Sequence, residues 1–92
     1  MSAVTLRSHD GTRIVAETVG EGPVTFVVAH GLTGHRRRAG VRLVTQWLSQ
    51  YGRVVVFDQR GHGESGGTCT LAFREPMDLD VVCTWEIGRA HV

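Results

Sequence analysis

Two short runs constrain the fold more than anything else in this chain: Val24-Thr25-Phe26-Val27-Val28-Ala29 and Val54-Val55-Val56-Phe57. Both are nearly unbroken apolar stretches, rich in β-branched residues and without polar alternation. A strand with one wet face would alternate, so these fit central strands of a parallel sheet covered by helices on both faces. Parallel neighbours need a crossover, and the sequence between them supplies one. Val41, Val44, Leu48 and Tyr51 recur at spacings of three and four, Leu43 and Trp47 widen the stripe, and Gly52 ends it. The expectation is a βαβ unit with a right-handed crossover.

Ahead of this unit, Val4 to Ser8 alternates apolar with polar residues, and Thr12 to Val19 is rich in β-branched ones. Both read as strands. His9-Asp10-Gly11 lies between them, and a glycine that tolerates positive φ after an aspartate is a hairpin signal, so the pair is expected to be antiparallel. Gly20-Glu21-Gly22-Pro23 breaks the pattern. A last helix is expected from Pro76 to about Trp85: Pro76 suits its first turn, Asp78 and Asp80 favour its positive end, and Leu79, Val82 and Cys83 can share a face. A helix after the second parallel strand needs a third strand to return to, and none follows Trp85. The fold class expected is therefore α/β, cut short: an antiparallel hairpin, a βαβ parallel unit and a final helix. In such a fold the Val24–Ala29 strand has a bare apolar edge, and the isolated chain is expected to aggregate or to order only partly.

The 92 residues leave room for one core. Hydrophobic residues make up 41%, with 12 glycines besides, which excludes a disordered chain. Ten basic and nine acidic residues balance to +1, too little to recruit nucleic acid. No stretch approaches the roughly 18 apolar residues of a membrane span, and Arg7, His9 and Asp10 stand where a signal peptide would be apolar. These features lead to the expectation of a cytoplasmic protein. Cys69 and Cys83 cannot build a disulfide framework and lack zinc-site spacing, so they read as reduced, partly buried thiols. No metal and no cofactor is expected.

Chemistry in open parallel sheets gathers at the C-terminal strand ends. One loop there is His30-Gly31-Leu32-Thr33-Gly34, and the other is Asp58-Gln59-Arg60-Gly61-His62-Gly63-Glu64-Ser65. A His-Gly pair after a buried strand (VVAHGLTG), followed one helix and one strand later by VVVFDQRGHGES, resembles the N-terminal part of the α/β-hydrolase superfamily. The likeness extends from Thr5 to Trp85, and among the members it resembles are esterases, lysophospholipase-like enzymes and serine peptidases. It implies an oxyanion-hole role for the backbone N–H of Leu32, with Gly31 and Gly34 permitting close approach. A main-chain donor fixed at a strand end stabilises developing charge without reorganising. It also implies that His30, Asp58, Arg60, Gly61, His62, Gly63 and Ser65 shape the loops and do no chemistry themselves. On composition alone, Arg36-Arg37-Arg38 reads as a solvated face.

Two patterns are set aside on physical grounds. Gly63-Glu64-Ser65-Gly66-Gly67 spells the nucleophile elbow G-x-S-x-G, and Asp80 and His91 follow in triad order. The elbow works because a strand enters and a helix leaves directly, whereas the strand here ends near Asp58 and Gly66-Gly67-Thr68 starts no helix. Gly61 to Gly66 also spells G-x-G-x-x-G, but a dinucleotide site needs a helix opening at the third glycine and a carboxylate closing the next strand.

The family resemblance places the nucleophile, acid and histidine beyond these residues, so the chain itself is expected to be inactive while its parent hydrolyses a small-molecule acyl ester or peptide. Two alternatives are another hydrolase of the same fold, such as a dehalogenase or epoxide hydrolase, and a non-catalytic or dinucleotide-binding α/β module. Ile87-Gly88-Arg89-Ala90-His91-Val92 reverse-translates to the opening bases of a common sequencing adapter. Residues 1–85 are therefore expected to be the hydrolase part, and 86–92 a non-native tail.

Overall fold

The computed structural model describes residues 2–31 and 34–90. Strand β1 (Ser2–Arg7) and strand β2 (Arg13–Val19) form an antiparallel hairpin with Leu6 opposite Ile14. Its turn has the expected chemistry: Gly11 takes φ +87°, and Ser8 and Thr12 close the loop through Ser8 N–H donating to the Thr12 carbonyl at 2.9 Å. Strand β3 (Thr25–Ala29), helix α1 (Ala39–Leu48) and strand β4 (Arg53–Phe57) follow, and β3 and β4 are parallel. Helix α2 (Glu75–Ala90) ends the described chain.

The sheet order is β1-β2-β4-β3, with β2 and β4 antiparallel. β4 is central, as its apolar run suggested, and β3 has the bare edge expected of it. β4 is flanked on both sides, and Val54 to Phe57 are all buried. β3 carries the same kind of sequence but forms the sheet's border, with Phe26 to Val28 half-buried and Thr25 and Ala29 exposed. An apolar run reports that both faces are covered, not that both edges are paired.

Period-two alternation divides the core between the faces. On one, Ile14, Ala16, Val55, Phe57 and Val82 of α2 form a buried cluster, joined by Val4, Leu6, Val27 and Trp85. On the other, α1 packs over β4, but not by the stripe its spacing suggested. Thr45 is its one buried residue, whereas Leu43, Val44, Trp47 and Tyr51 are largely exposed. The helix meets the sheet along Val41, Thr45 and Leu48, so most of its apolar flank faces away.

Helix α2 also differs from expectation, starting one residue earlier and continuing past Trp85 to Ala90. Glu86 lies against the sheet, its Oε1 2.9 Å from Arg53 Nε, so the helix still has a buried partner where sequence reading would have stopped it. Among the described residues no helix is long and apolar enough to cross a membrane.

Candidate functional site

The two motif loops leave β3 and β4 at adjacent positions, because Ala29 pairs with Phe57 in the parallel register. Their first residues are joined. The backbone N–H of Gln59 donates to His30 Nε2 at 3.0 Å, and its side-chain amide donates to the His30 carbonyl. His30 Nδ1 lies 2.6 Å from the Gly31 carbonyl, so it carries the proton and donates there. Both ring nitrogens of this buried histidine are thereby engaged, which leaves no basic nitrogen for proton abstraction. Gly34 N–H donates to the Gly31 carbonyl at 3.0 Å. Leu32, the expected oxyanion donor, and Thr33 lie outside the described residues, as does His91.

Asp58 provides a second joint. Its carboxylate is 0% exposed and accepts Arg36 N–H at 2.7 Å and Glu64 N–H at 3.0 Å, besides the Arg36 guanidinium. Arg36 therefore corrects the expectation of a solvated arginine face. It is 3% exposed and also donates to Glu17 at 2.6 Å and Glu64 at 2.7 Å. Of its neighbours, Arg37 does lie in solvent, 3.2 Å from Glu64. Burial disfavours the Arg36 cation, but the three carboxylates outweigh it and raise its pKa further. The Arg36 guanidinium in turn holds the Glu64 carboxyl below its usual range. A buried Asp at a strand end had to find a cation, and that requirement was the available signal for Arg36.

Gly63, at φ +51°, sits so close to this joint that a Cβ would overlap the Asp58 carboxyl. Gly61, at φ +75°, would bring a Cβ to 2.5 Å from the Cys69 backbone nitrogen. Ser65 is buried; its Oγ donates to the Asp58 carbonyl at 2.6 Å and accepts Val15 N–H at 2.9 Å. That hydroxyl braces the loop against β2. His62 Nδ1 donates to the Arg60 carbonyl at 3.0 Å, and its ring centroid lies 4.9 Å from that of His30.

Arg60 is buried and faces away from these strand ends, toward α2. It forks onto Asp78 at 2.6 and 2.7 Å and reaches Asp10 in the hairpin turn at 2.9 Å. Sequence reading took Asp78 as a helix-dipole residue and Asp10 as turn chemistry, and missed both as ligands of one arginine.

Beyond Ser65 the loop borders an open cleft of about 310 Å³ lined by Gln59, His62, Cys69, Leu71, Ala72 and Glu75. Leu71 and Ala72 take left-handed φ values of 52° and 77°, at a cost of roughly 1–3 kcal/mol each. Glu75 holds this segment in place. It accepts the Thr70 hydroxyl and the Thr70 N–H, the latter at 3.0 Å. Burial pushes the Glu75 carboxyl up, but the Thr70 hydroxyl and N–H, its own N–H and the Cys69 thiol together pull it from 4.5 down to about 2. A carboxylate with a depressed folded pKa stabilises above its unfolded value and loses that contribution as pH falls through the folded one. Amide-exchange protection at residues 70–75, taken relative to the intrinsic rate at each pH, should therefore fall between about pH 4.5 and pH 2. In Glu75→Gln the protection should be low already at neutral pH and lack this step; equal acid dependence of protection in both proteins would contradict the assignment.

Fold and site together define a class. A hairpin antiparallel to the second of two parallel strands, in the order β1-β2-β4-β3, with motif loops joined at their C-terminal ends, is the N-terminal part of the α/β-hydrolase fold. An esterase from Pyrococcus furiosus superposes with a TM-score of 0.81 at 27% identity, over 91% of this chain and 35% of its own. An α/β hydrolase from Sphaerobacter thermophilus gives 0.71 at 36% identity, over 86% and 30%. A serine hydrolase homologue from Coxiella burnetii gives 0.78 at 23%, over 91% and 44%, a likeness of fold alone. The chain spans about a third of the length of the first two structures. No family model matches the sequence. No curated protein matches it either.

Proposed function

We propose that this chain carries the oxyanion side of a serine hydrolase that acts on acyl esters or peptides, with the Leu32 backbone N–H donating to the developing oxyanion. The observation that carries this reading is the double joint between the motif loops, Gln59 to His30 and Asp58 to Arg36. It fixes His30 and Arg36 against the loop after β4, and a preorganised donor needs its strand-end neighbours held in this way. The nucleophile comes from outside these 92 residues, since the Ser65 hydroxyl is committed to Asp58 and Val15. Residues 1–85 form the hydrolase part and 86–92 a non-native tail, whose first residues prolong α2 and set Glu86 beside Arg53. The cleft beside Gln59 and His62 is at the small end of ligand-binding cavities and suits a small acyl substrate.

A dinucleotide site on the Gly61–Gly66 loop is not favoured. The amides of Gly61, Glu64, Ser65 and Gly66 all donate within the protein, and no helix opens there to receive a pyrophosphate.

The test is a chimera in which residues 4–85 replace the matching third of the Pyrococcus furiosus esterase. Ester hydrolysis should survive the exchange. Leu32→Pro in it should lower kcat by about 10²–10³-fold with little change in KM, while Leu32→Ala should not. The 92-residue chain alone should hydrolyse no ester. Equal kcat for the two Leu32 variants, or turnover by the chain alone that disappears in Ser65→Ala, would overturn the proposal.

A further inference from the structure

The cleft beside the second motif loop is walled by one stretch of chain, between the loop after β4 and the first turn of α2. That stretch is held by its own bonds. Gly61 N–H donates to the Gly66 carbonyl at 2.8 Å, and Gly61 packs against the Cys69 backbone. Phe73 N–H donates to the Thr70 carbonyl at 3.2 Å and Arg74 N–H to the Thr70 hydroxyl at 2.8 Å. The shape of the cleft is therefore set by residues 59–75 themselves.

The polar groups that Gln59 and Glu75 bring to this cleft are acceptors. Gln59 turns its amide nitrogen to the His30 carbonyl, which can only accept, so the orientation of the amide is fixed and its oxygen is left for the cleft. Among the described residues no group donates to that oxygen. Glu75 accepts from Thr70, and the bonds that hold its carboxyl at about 2 keep it ionised. Apart from histidine, the side-chain cations of this chain are all arginines, and among the described residues none pairs with Glu75. The positive end of α2 offsets part of its charge. Leu71 and Ala72 add an apolar wall.

We propose that this cleft receives an acyl group carrying a primary ammonium, with the Gln59 amide oxygen and the Glu75 carboxylate as its acceptors. The inference rests on the oxyanion reading above. Gln59 is bonded to His30, two positions before Leu32, so a substrate whose carbonyl oxygen meets the Leu32 N–H can run its acyl chain from that joint into the cleft. An ammonium supplies three donors and one positive charge. An alkyl chain of the same shape desolvates both acceptors and returns no hydrogen bond, a loss that is largest where the acceptor is charged. At about 310 Å³ the cleft admits only a short chain.

Two probes of equal shape separate the ammonium from the chain that carries it: 3-aminopropanamide and butanamide, titrated into the 92-residue chain and followed by backbone amide chemical shifts. The ammonium probe should bind at least ~10-fold more tightly, with shifts at Gln59, Cys69 and Glu75 and none in the β1–β2 hairpin. Glu75→Gln should bring the two probes to within ~3-fold; because that variant also loosens residues 70–75, the probe pair on the parent chain decides. Equal affinities, or shifts that fall outside residues 59–75, would overturn the inference. In the chimera, the 4-nitrophenyl ester of 3-aminopropanoate should exceed that of butanoate at least ~10-fold in kcat/KM, after each is divided by its rate with hydroxide. Equal values with the Leu32→Pro loss intact would overturn the ammonium site and leave the oxyanion reading standing. Hydrolysis of neither ester would overturn the oxyanion reading, and the probe titration would still decide the site.

Discussion

Replacing Arg60 with alanine is expected to destabilise the fold by about 3–5 kcal/mol. The guanidinium is buried and is shared by the hairpin turn through Asp10 and by α2 through Asp78, which also accepts the Ser8 hydroxyl. Its neighbourhood is charged to match: the Asp78 fork, with Asp10 behind it, raises the Arg60 pKa, and Arg60 is the main reason that the Asp10 carboxyl stays ionised far into acid. Truncation would strand Asp78 as a buried anion, a loss of about 3–5 kcal/mol. A chain of this size has roughly 5–15 kcal/mol in total. Urea unfolding followed by circular dichroism measures the loss. Arg74→Ala is the control: Arg74 is half-exposed and approaches Asp10 at 3.2 Å, so it should cost under ~1 kcal/mol. Arg60→Met with Asp78→Leu removes both charges together and should recover most of the stability. If Arg60→Ala unfolds like the parent, the three elements are not held by this arginine.

The second large effect is expected at Asp58. In Asp58→Ala the Arg36 and Glu64 amides lose their acceptor, each at about 1–3 kcal/mol, and the buried Arg36 guanidinium loses one of its three carboxylates. The total should reach about 3–5 kcal/mol. Its location is as telling as its size. Amide exchange should accelerate at Arg36, just past the first motif loop, and at Glu64 in the second, while Val54 to Val56 in the strand behind stay protected. Asp58→Asn keeps one acceptor oxygen in the same shape and should lose less. Unchanged protection at Arg36 in Asp58→Ala would show that something else joins the loops.

The elements themselves were legible in the sequence. Each strand was recovered to within about two residues, the hairpin followed from Asp10-Gly11, and the two motif loops were placed at strand ends. The cysteines are free and half-buried, as their number and spacing suggested. Two readings failed for a common reason. Arg36 looked like one of three equivalent surface arginines, and the α1 stripe looked like core. Each inference used neighbours in sequence, whereas burial depends on which strand lies alongside.

Local pattern thus determined what each segment is, because periodicity, turn glycines and apolar runs act over a few residues. Tertiary structure alone decided where charge and apolar surface are hidden. Asp10 finds Arg60 across 50 positions, Ser8 finds Asp78 across 70, and Arg36 finds Asp58 across 22. Insertion of β4 between β2 and β3 leaves β3 at the border. Such pairings depend on strand order and on the low dielectric between packed layers, where a charge without a partner is too costly to keep.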